Sequence, residues 1–205
     1  RLQAMGPAEI IHRIGEQCSL KAMHLRHRLG PKAGEHSFAT IDQFEFCKAG
    51  NPKLPDLPWR APDDPMQIDD LLAGKVKIGA WIWQWRRDNQ VWHEAPDTGR
   101  SWPQVFFGSI SYRPGNPHGD ARIAWEPSRL QQLVALGLLV RERSGGLRRR
   151  AIALLESQFL SWADANPYMT GIHYISAMEC GLRMMAVCHA LDLVRNDLEN
   201  PDQVW

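Results

Sequence analysis

At 205 residues, 44% hydrophobic and 23% charged, the chain has the balance of one folded domain, or one and a fraction, and not that of a disordered segment. Lys and Arg number 24 against 23 Asp and Glu, a net charge of +1, so no bulk attraction to nucleic acid or to an anionic membrane is predicted. No apolar run approaches the roughly 18 residues of a membrane span, which argues against a membrane protein.

In chain order, the first predicted element is a helix over residues 7–29. Pro7 suits a first helical position, Glu9 the first turn and the basic residues the last turn, where Lys21, His24, Arg26, His27 and Arg28 read as a solvated, dipole-favoured end. Ile10, Ile14 and Cys18 form its expected inward stripe, and Gly30-Pro31 its stop. Residues 31–120 read as an irregular Trp- and Pro-rich segment with at most short strands. Pro52, Pro55, Pro58, Pro62 and Pro65 make Asn51–Pro65 an extended loop. A short helix is expected over Gln67–Ala73. Alternation from Lys75 to Ile78 and through Trp81, Trp83 and Trp85 predicts strand, with turns at Asp97–Arg100 and Arg113–Asp120.

From residue 121 to 205 the pattern becomes helical. One helix is expected from Pro127 to about Arg143, with Leu130, Leu133, Val134, Leu136, Gly137 and Val140 inward. A second covers about Leu147–Ala165 on Ile152, Leu155, Phe159 and Trp162, and Asn166-Pro167 ends it. A third spans about Tyr174–Val194, with Met178, Leu182, Met185 and His189 as its stripe. Short breaks between such helices indicate antiparallel hairpins, and the chain stops at Trp205 without a capping element, which predicts further helices beyond.

Cysteine and tryptophan carry different weight. Cys18, Cys47, Cys180 and Cys188 form no C-x-x-C pair and are expected to be buried free thiols. Cys180 and Cys188 would stand about 12 Å apart along one helix, too far for a disulfide. Nine tryptophans against three tyrosines is a high count. The indole suits both a core and the face of a sugar ring, and composition does not separate the two.

No phosphate loop, G-x-S-x-G elbow or H-E-x-x-H motif is present, so single features are weighed individually. The turn before the third helix gathers His173, Tyr174, Ser176 and Glu179 at a helix N-terminus, a place for a carboxylate or sulfate. His173 would serve there as a base or a neutral donor; alternatively it caps the helix while Tyr174 packs. Glu179 and Arg183, four apart, suggest an ordinary ion pair, although Arg183 lies in an apolar stretch and needs a partner or a ligand. Arg129, three residues after Glu126, poses the same choice. Arg148, Arg149 and Arg150 read as a solvated face.

Four blocks, at Pro7-Ala8-Glu9-Ile10, at Trp92-His93 with Trp102-Pro103, at Asp120 to Gln131 and at Trp162 to Arg183, together resemble heparinase II/III-like polysaccharide lyases. Asp120-Ala121-Arg122, Trp125-Glu126-Pro127 and Arg129-Leu130-Gln131 are similar to that family's D-x-R-x-x-W-E-P-x-R-L-Q segment. Trp162 with Asn166-Pro167, then Gly171-Ile172-His173-Tyr174, Ser176, Met178-Glu179 and Arg183, resemble its W-x-x-x-N-P … G-x-N-W-x-S-x-M-E-x-x-x-R. Trp92-His93, Pro96, Thr98-Gly99 and Trp102-Pro103 are similar to W-H-x-D-P-x-T-G … W-P, and Pro7-Ala8-Glu9-Ile10 with Arg13 to the opening helix. His173-Tyr174 replaces the family's common Asn-Trp.

The resemblance implies a mainly α fold: a partial α/α toroid of antiparallel hairpins, continued in full-length members by more helices and a β-sandwich domain. It implies β-elimination on a uronate-containing polysaccharide, heparan-like or alginate-like, with much of the catalytic set lying beyond Trp205 and no cofactor or metal in this segment. On this reading the partner is an acidic polysaccharide. His173 is the catalytic candidate, orienting or neutralising the sugar carboxylate; Arg129 or Arg183 binds the anionic sugar, and Trp125 or Tyr174 stacks on a ring. The alternatives are a non-catalytic glycan-binding toroid and a helical protein-interaction scaffold. The sequence around Met5 shows no secretion leader, which predicts a cytoplasmic protein, whereas the family resemblance implies a periplasmic one.

Overall fold

The computed structural model describes residues 6–29, 54, 55 and 57–204; the expected stop at Gly30-Pro31, Cys47, Met5, Trp205 and the opening of the proline-rich loop lie outside them. The protein is mainly helical. Helix α1 covers Pro7–Leu29, α2 Pro65–Leu72, α3 Ala121–Ser128, α4 Gln131–Glu142, α5 Gly145–Ala165, α6 Ala177–Val194 and α7 Pro201–Val204. Two antiparallel hairpins break the helical order: β1 (Lys75–Ile78) with β2 (Trp81–Gln84), and β3 (Glu94–Ala95) with β4 (Arg100–Ser101).

The helix starts follow local chemistry. Asp64 accepts from the Met66 amide at 3.0 Å ahead of Pro65, and Asp120 does the same for Arg122, so α2 and α3 begin on an aspartate cap. Gly74, at φ +75°, takes the chain out of α2 into β1, close against Trp85.

One predicted helix is two. Pro127 sits inside α3 instead of opening a longer helix, and the chain breaks at Leu130, whose φ of +59° is left-handed, before α4 begins. The proline cannot donate to the carbonyl four residues back, which weakens α3 at its end, while the fully buried Leu130 side chain pins the kink. The signal for the earlier start was Asp120, a capping residue directly before Ala121.

Helix α4 forms the centre. Arg148 at the start of α5 donates to the Val140 carbonyl, and Gln132 at the start of α4 reaches Gln158, so α4 and α5 are antiparallel as expected. Helix α6 runs parallel to α4 on its other flank, where Gly137 lets Leu193 approach so closely that a Cβ would lie 3.0 Å from it. Leu130, Leu133, Leu136, Leu139, Val140 and Leu155 are buried between them. The inward stripe expected for α4 is buried except for Val134, which is half-buried, and the α5 stripe holds apart from the half-buried Phe159.

The stripe expected for α6 is its outer face. Met178 and Met185 are exposed and Leu182 and His189 half-buried, whereas Glu179, Arg183, Ala186, Ala190 and Val194 point inward. Methionine hydrophobicity favours the outer stripe, but the polar pair Glu179 and Arg183 has buried partners. Helix α1 likewise has no buried residue: Ile14 and Cys18 are exposed, and contact runs through Leu20, Met23 and His24, with His24 stacked on Phe106 at 4.5 Å. Cys18 is therefore no buried thiol, and Cys180 and Cys188 are only half-buried.

Most tryptophans serve the interior. Trp83, Trp92, Trp102, Trp125 and Trp162 are buried, and Trp92 packs on Trp83 at 4.9 Å while donating to Ser161. Trp59 and Trp81 remain exposed. No helix among the described residues is long and apolar enough to cross a membrane.

Candidate functional site

Residues of three of the four sequence blocks meet in one buried junction where the end of α3, the start of α6 and the turn at Trp92-His93 converge, whereas the block at Pro7–Arg13 lies on α1, outside it. Gly171, at φ +88°, admits a tight helical turn over Ile172–Tyr174; its amide donates to Val105 and its Cα faces the His93 ring. Ser176 then caps α6 by accepting from the Glu179 amide, so the capping role considered for His173 belongs to Ser176.

His173 has no exposed surface. Its Nε2–H donates to the Trp92 carbonyl at 2.8 Å, with the Ser128 hydroxyl at 3.3 Å. Burial, the Arg183 guanidinium and His93 push its pKa down to about 3, so the ring is neutral. His93, 5.8 Å away between ring centroids, donates from Nε2 to the Ala165 carbonyl, and burial lowers its pKa too. A catalytic residue must touch substrate, and an enclosed His173 bonded into the backbone does not. His173 instead belongs to the interior framework of the junction.

The two arginines are engaged as well. Arg129 binds Glu179 through two hydrogen bonds, of 2.6 and 2.9 Å, and also pairs with Glu126. The Glu179 bond is the main cause that raises the Arg129 pKa. Arg183 donates to the Ser128 carbonyl at 2.7 Å and the His173 carbonyl at 3.1 Å, and lies over the Trp162 ring at 4.4 Å. Glu179 thus pairs with Arg129 across the junction and not with Arg183 one turn along, because Arg183 is drawn toward the carbonyls left free where α3 ends. Burial lowers the Arg183 pKa. Neither arginine offers an uncommitted guanidinium to a sugar.

The aromatic candidates differ. Tyr174 donates its hydroxyl to the Asn166 carbonyl at 2.8 Å, and burial raises its pKa; the exposed Tyr168 stands edge-on to it at 5.9 Å. Trp125 donates Nε1–H to the Ile172 carbonyl, while its ring borders an open cleft.

That cleft, about 630 Å3, lies between Tyr112, Trp125 and the loop from Arg113 to Asp120. The loop is held rigidly. Asn116 bonds the Arg113 and Gly119 carbonyls and the His118 and Gly119 amides; Arg100 donates to the Pro117 carbonyl and Asp97 accepts from the Asp120 amide. A second cleft, about 940 Å3, separates α1 from Phe107–Arg113 and shares Tyr112 and Arg113 with the first. Among the described residues no group of His, Cys, Asp and Glu is placed to hold a metal ion.

Of the five expected site residues, the structure brings Trp125, Arg129, His173, Tyr174 and Arg183 into one neighbourhood, chiefly as interior framework. Sequence reasoning missed the Arg129–Glu179 pairing, the partnership of His93 with His173, and Tyr112-Arg113. For the first two, no local spacing carries the signal, since the partners lie 50 and 80 positions apart. For the last, the Pro/Gly-rich loop that follows was the available hint. No family model, no curated protein and no solved structure matches the chain.

Proposed function

We propose that the chain is the opening part of the α/α toroid of a polysaccharide lyase that cleaves a uronate-containing polysaccharide, heparan-like or alginate-like, by β-elimination. One observation carries this reading: the motif residues of three separate blocks are direct partners in space. Trp92 accepts from His173, Trp125 donates to Ile172, Arg129 binds Glu179 and Arg183 covers Trp162.

The helical arrangement adds support. A toroid repeats antiparallel hairpins, each covering the face left by the one before. The antiparallel α4–α5 pair with α6 laid beside α4 would suit the start of such a series, and the exposed Met178 and Met185 on α6 mark a face that a further pair would cover.

In this reading Trp125, Arg129, His173, Tyr174 and Arg183 position the wall of the substrate cleft, and the proton-abstracting base comes from elsewhere in the enzyme. The elimination removes the proton α to the carboxylate and expels the 4-O leaving group, giving an unsaturated uronate that absorbs in the ultraviolet. Incubating the complete enzyme with heparan sulfate and with alginate and following that absorbance tests the proposal. Growth of the signal with either polymer is expected; its absence with both, at protein shown to be folded, overturns the lyase. The burial of His173 favours one second reading, a glycan-binding toroid without catalysis, which predicts saturable binding and no unsaturated product.

A further inference from the structure

The two clefts adjoin at Tyr112-Arg113 and, end to end, outline a groove. They share these two residues, and together they run from the α1 face at His12 and Ser19 to the loop at Asn116 and the edge of Trp125. An elongated, half-open groove fits a linear polymer better than a compact metabolite, for which enclosure on most sides is the rule.

The chemistry of the shared segment is specific. Tyr112 is exposed and stands 6.3 Å from the Trp125 ring, tilted by 49°, so two aromatic faces border the same cleft. Flat aromatic faces with a polar edge suit the apolar face of a pyranose ring. Arg113 borders both clefts, and its guanidinium makes no hydrogen bond or ion pair among the described residues. Its neighbour Arg122, by contrast, is committed to Asp120 through three hydrogen bonds of 2.6–3.1 Å. The uncommitted cation thus sits where the clefts join, beside an aromatic platform, on a loop already ordered by Asn116. That order reduces the entropy lost when a ligand binds.

We propose that this groove binds an extended acidic oligosaccharide, with Tyr112 receiving a sugar ring beside the edge of Trp125 and Arg113 its carboxylate. The proposal rests on the lyase reading for the polymer's class but adds a location, on the outer side of Trp125, and two residues outside the family motifs, Tyr112 and Arg113. An Arg–carboxylate contact of this kind is worth about tenfold or more in affinity.

Calorimetric titration of the full chain with a heparan-derived and an alginate-derived hexasaccharide, and with neutral cellohexaose, tests the groove. Binding of at least one acidic hexasaccharide is expected, weakened about tenfold in Arg113→Ala and in Tyr112→Ala, with cellohexaose the weaker ligand throughout. Both substituted side chains are exposed, and thermal melting checks that each variant is folded. No detectable binding of either acidic hexasaccharide, or affinities unchanged in both variants, overturns the groove. The same samples assayed for unsaturated uronate separate the two claims: binding that depends on Arg113 without product leaves the groove and removes the lyase, whereas product formed with unchanged KM in both variants does the reverse.

Discussion

Arg129 and Glu179, 50 positions apart in sequence, face each other squarely, Nε to Oε2 at 2.6 Å and Nη2 to Oε1 at 2.9 Å, with the carboxylate side chain only 1% exposed. This pair ties the end of α3 to the first turn of α6. Because α4 follows α3 directly, it also sets where α6 lies along α4. A buried ion pair gains little over an apolar substitute, yet losing one partner strands the other charge.

Glu179→Gln is accordingly expected to destabilise the protein by about 3 kcal/mol, and Arg129→Met with Glu179→Leu together by clearly less than Glu179→Gln alone. Urea unfolding at neutral pH measures both. If the single substitution cost no more than a few tenths of a kcal/mol, the pair would be an ordinary surface contact.

The His93–His173 neighbourhood makes stability depend on pH. Unfolded, an imidazole takes its proton near 6.5; folded, His173 does so only at about 3, and His93 also below its ordinary value. Between these values the unfolded chain holds more protons. Stability is therefore complete above about pH 6.5 and falls as the pH is lowered toward 3, by about 1.4 kcal/mol per pH unit for His173, with a contribution of the same sign from His93. His173→Asn keeps an N–H for the Trp92 carbonyl but does not titrate, so its denaturant midpoint is expected to fall less steeply between pH 6.5 and 4.5. Parallel slopes for the two proteins would show that His173 does not carry the effect.

Two glycines should respond in opposite ways to alanine. Gly119 has φ +127°, and a Cβ there would stand 2.7 Å from Asp97 Oδ1, the carboxylate that accepts from the Asp120 amide. Gly119→Ala is expected to cost about 2 kcal/mol and to loosen the loop that carries Arg113, weakening acidic-hexasaccharide binding several-fold. Gly146 lies in α5 with open space around its Cα, and Gly146→Ala is expected to be neutral or to stabilise by up to about 1 kcal/mol. Melting temperatures of the two variants, and titration of the first, decide both; a tolerated Gly119→Ala with full affinity would mean that the loop is not held as described.

Some of this was legible in the residues and some was not, and the division has a physical cause. The α5 stripe, the end of that helix at Asn166-Pro167, the short α2 and the turns at Asp97–Arg100 and Arg113–Asp120 all arise from short-range chemistry: periodicity, missing amides and left-handed glycines. Failures came where a long-range partner outweighed the local preference. The α6 stripe was inverted because Glu179 and Arg183, polar on any scale, found their compensation in Arg129 and in the carbonyls of Ser128 and His173. Pro127 reads locally as a helix start because the residue that holds the kink, Leu130, is pinned by a core that sequence spacing does not display.

The sequence by itself determined the helical class, most element positions and which residues would gather near the start of α6. Only the tertiary structure decided what they do there. A histidine at a predicted helix start reads the same whether it faces solvent or carbonyls. Once His173 is enclosed by Trp92, Ser128 and His93, desolvation holds it neutral, while Tyr112 and Arg113 on the neighbouring loop stay exposed. Exposure and partnership are properties of the assembled surface. They depend on contacts made across tens of residues, and no local window of the chain contains them.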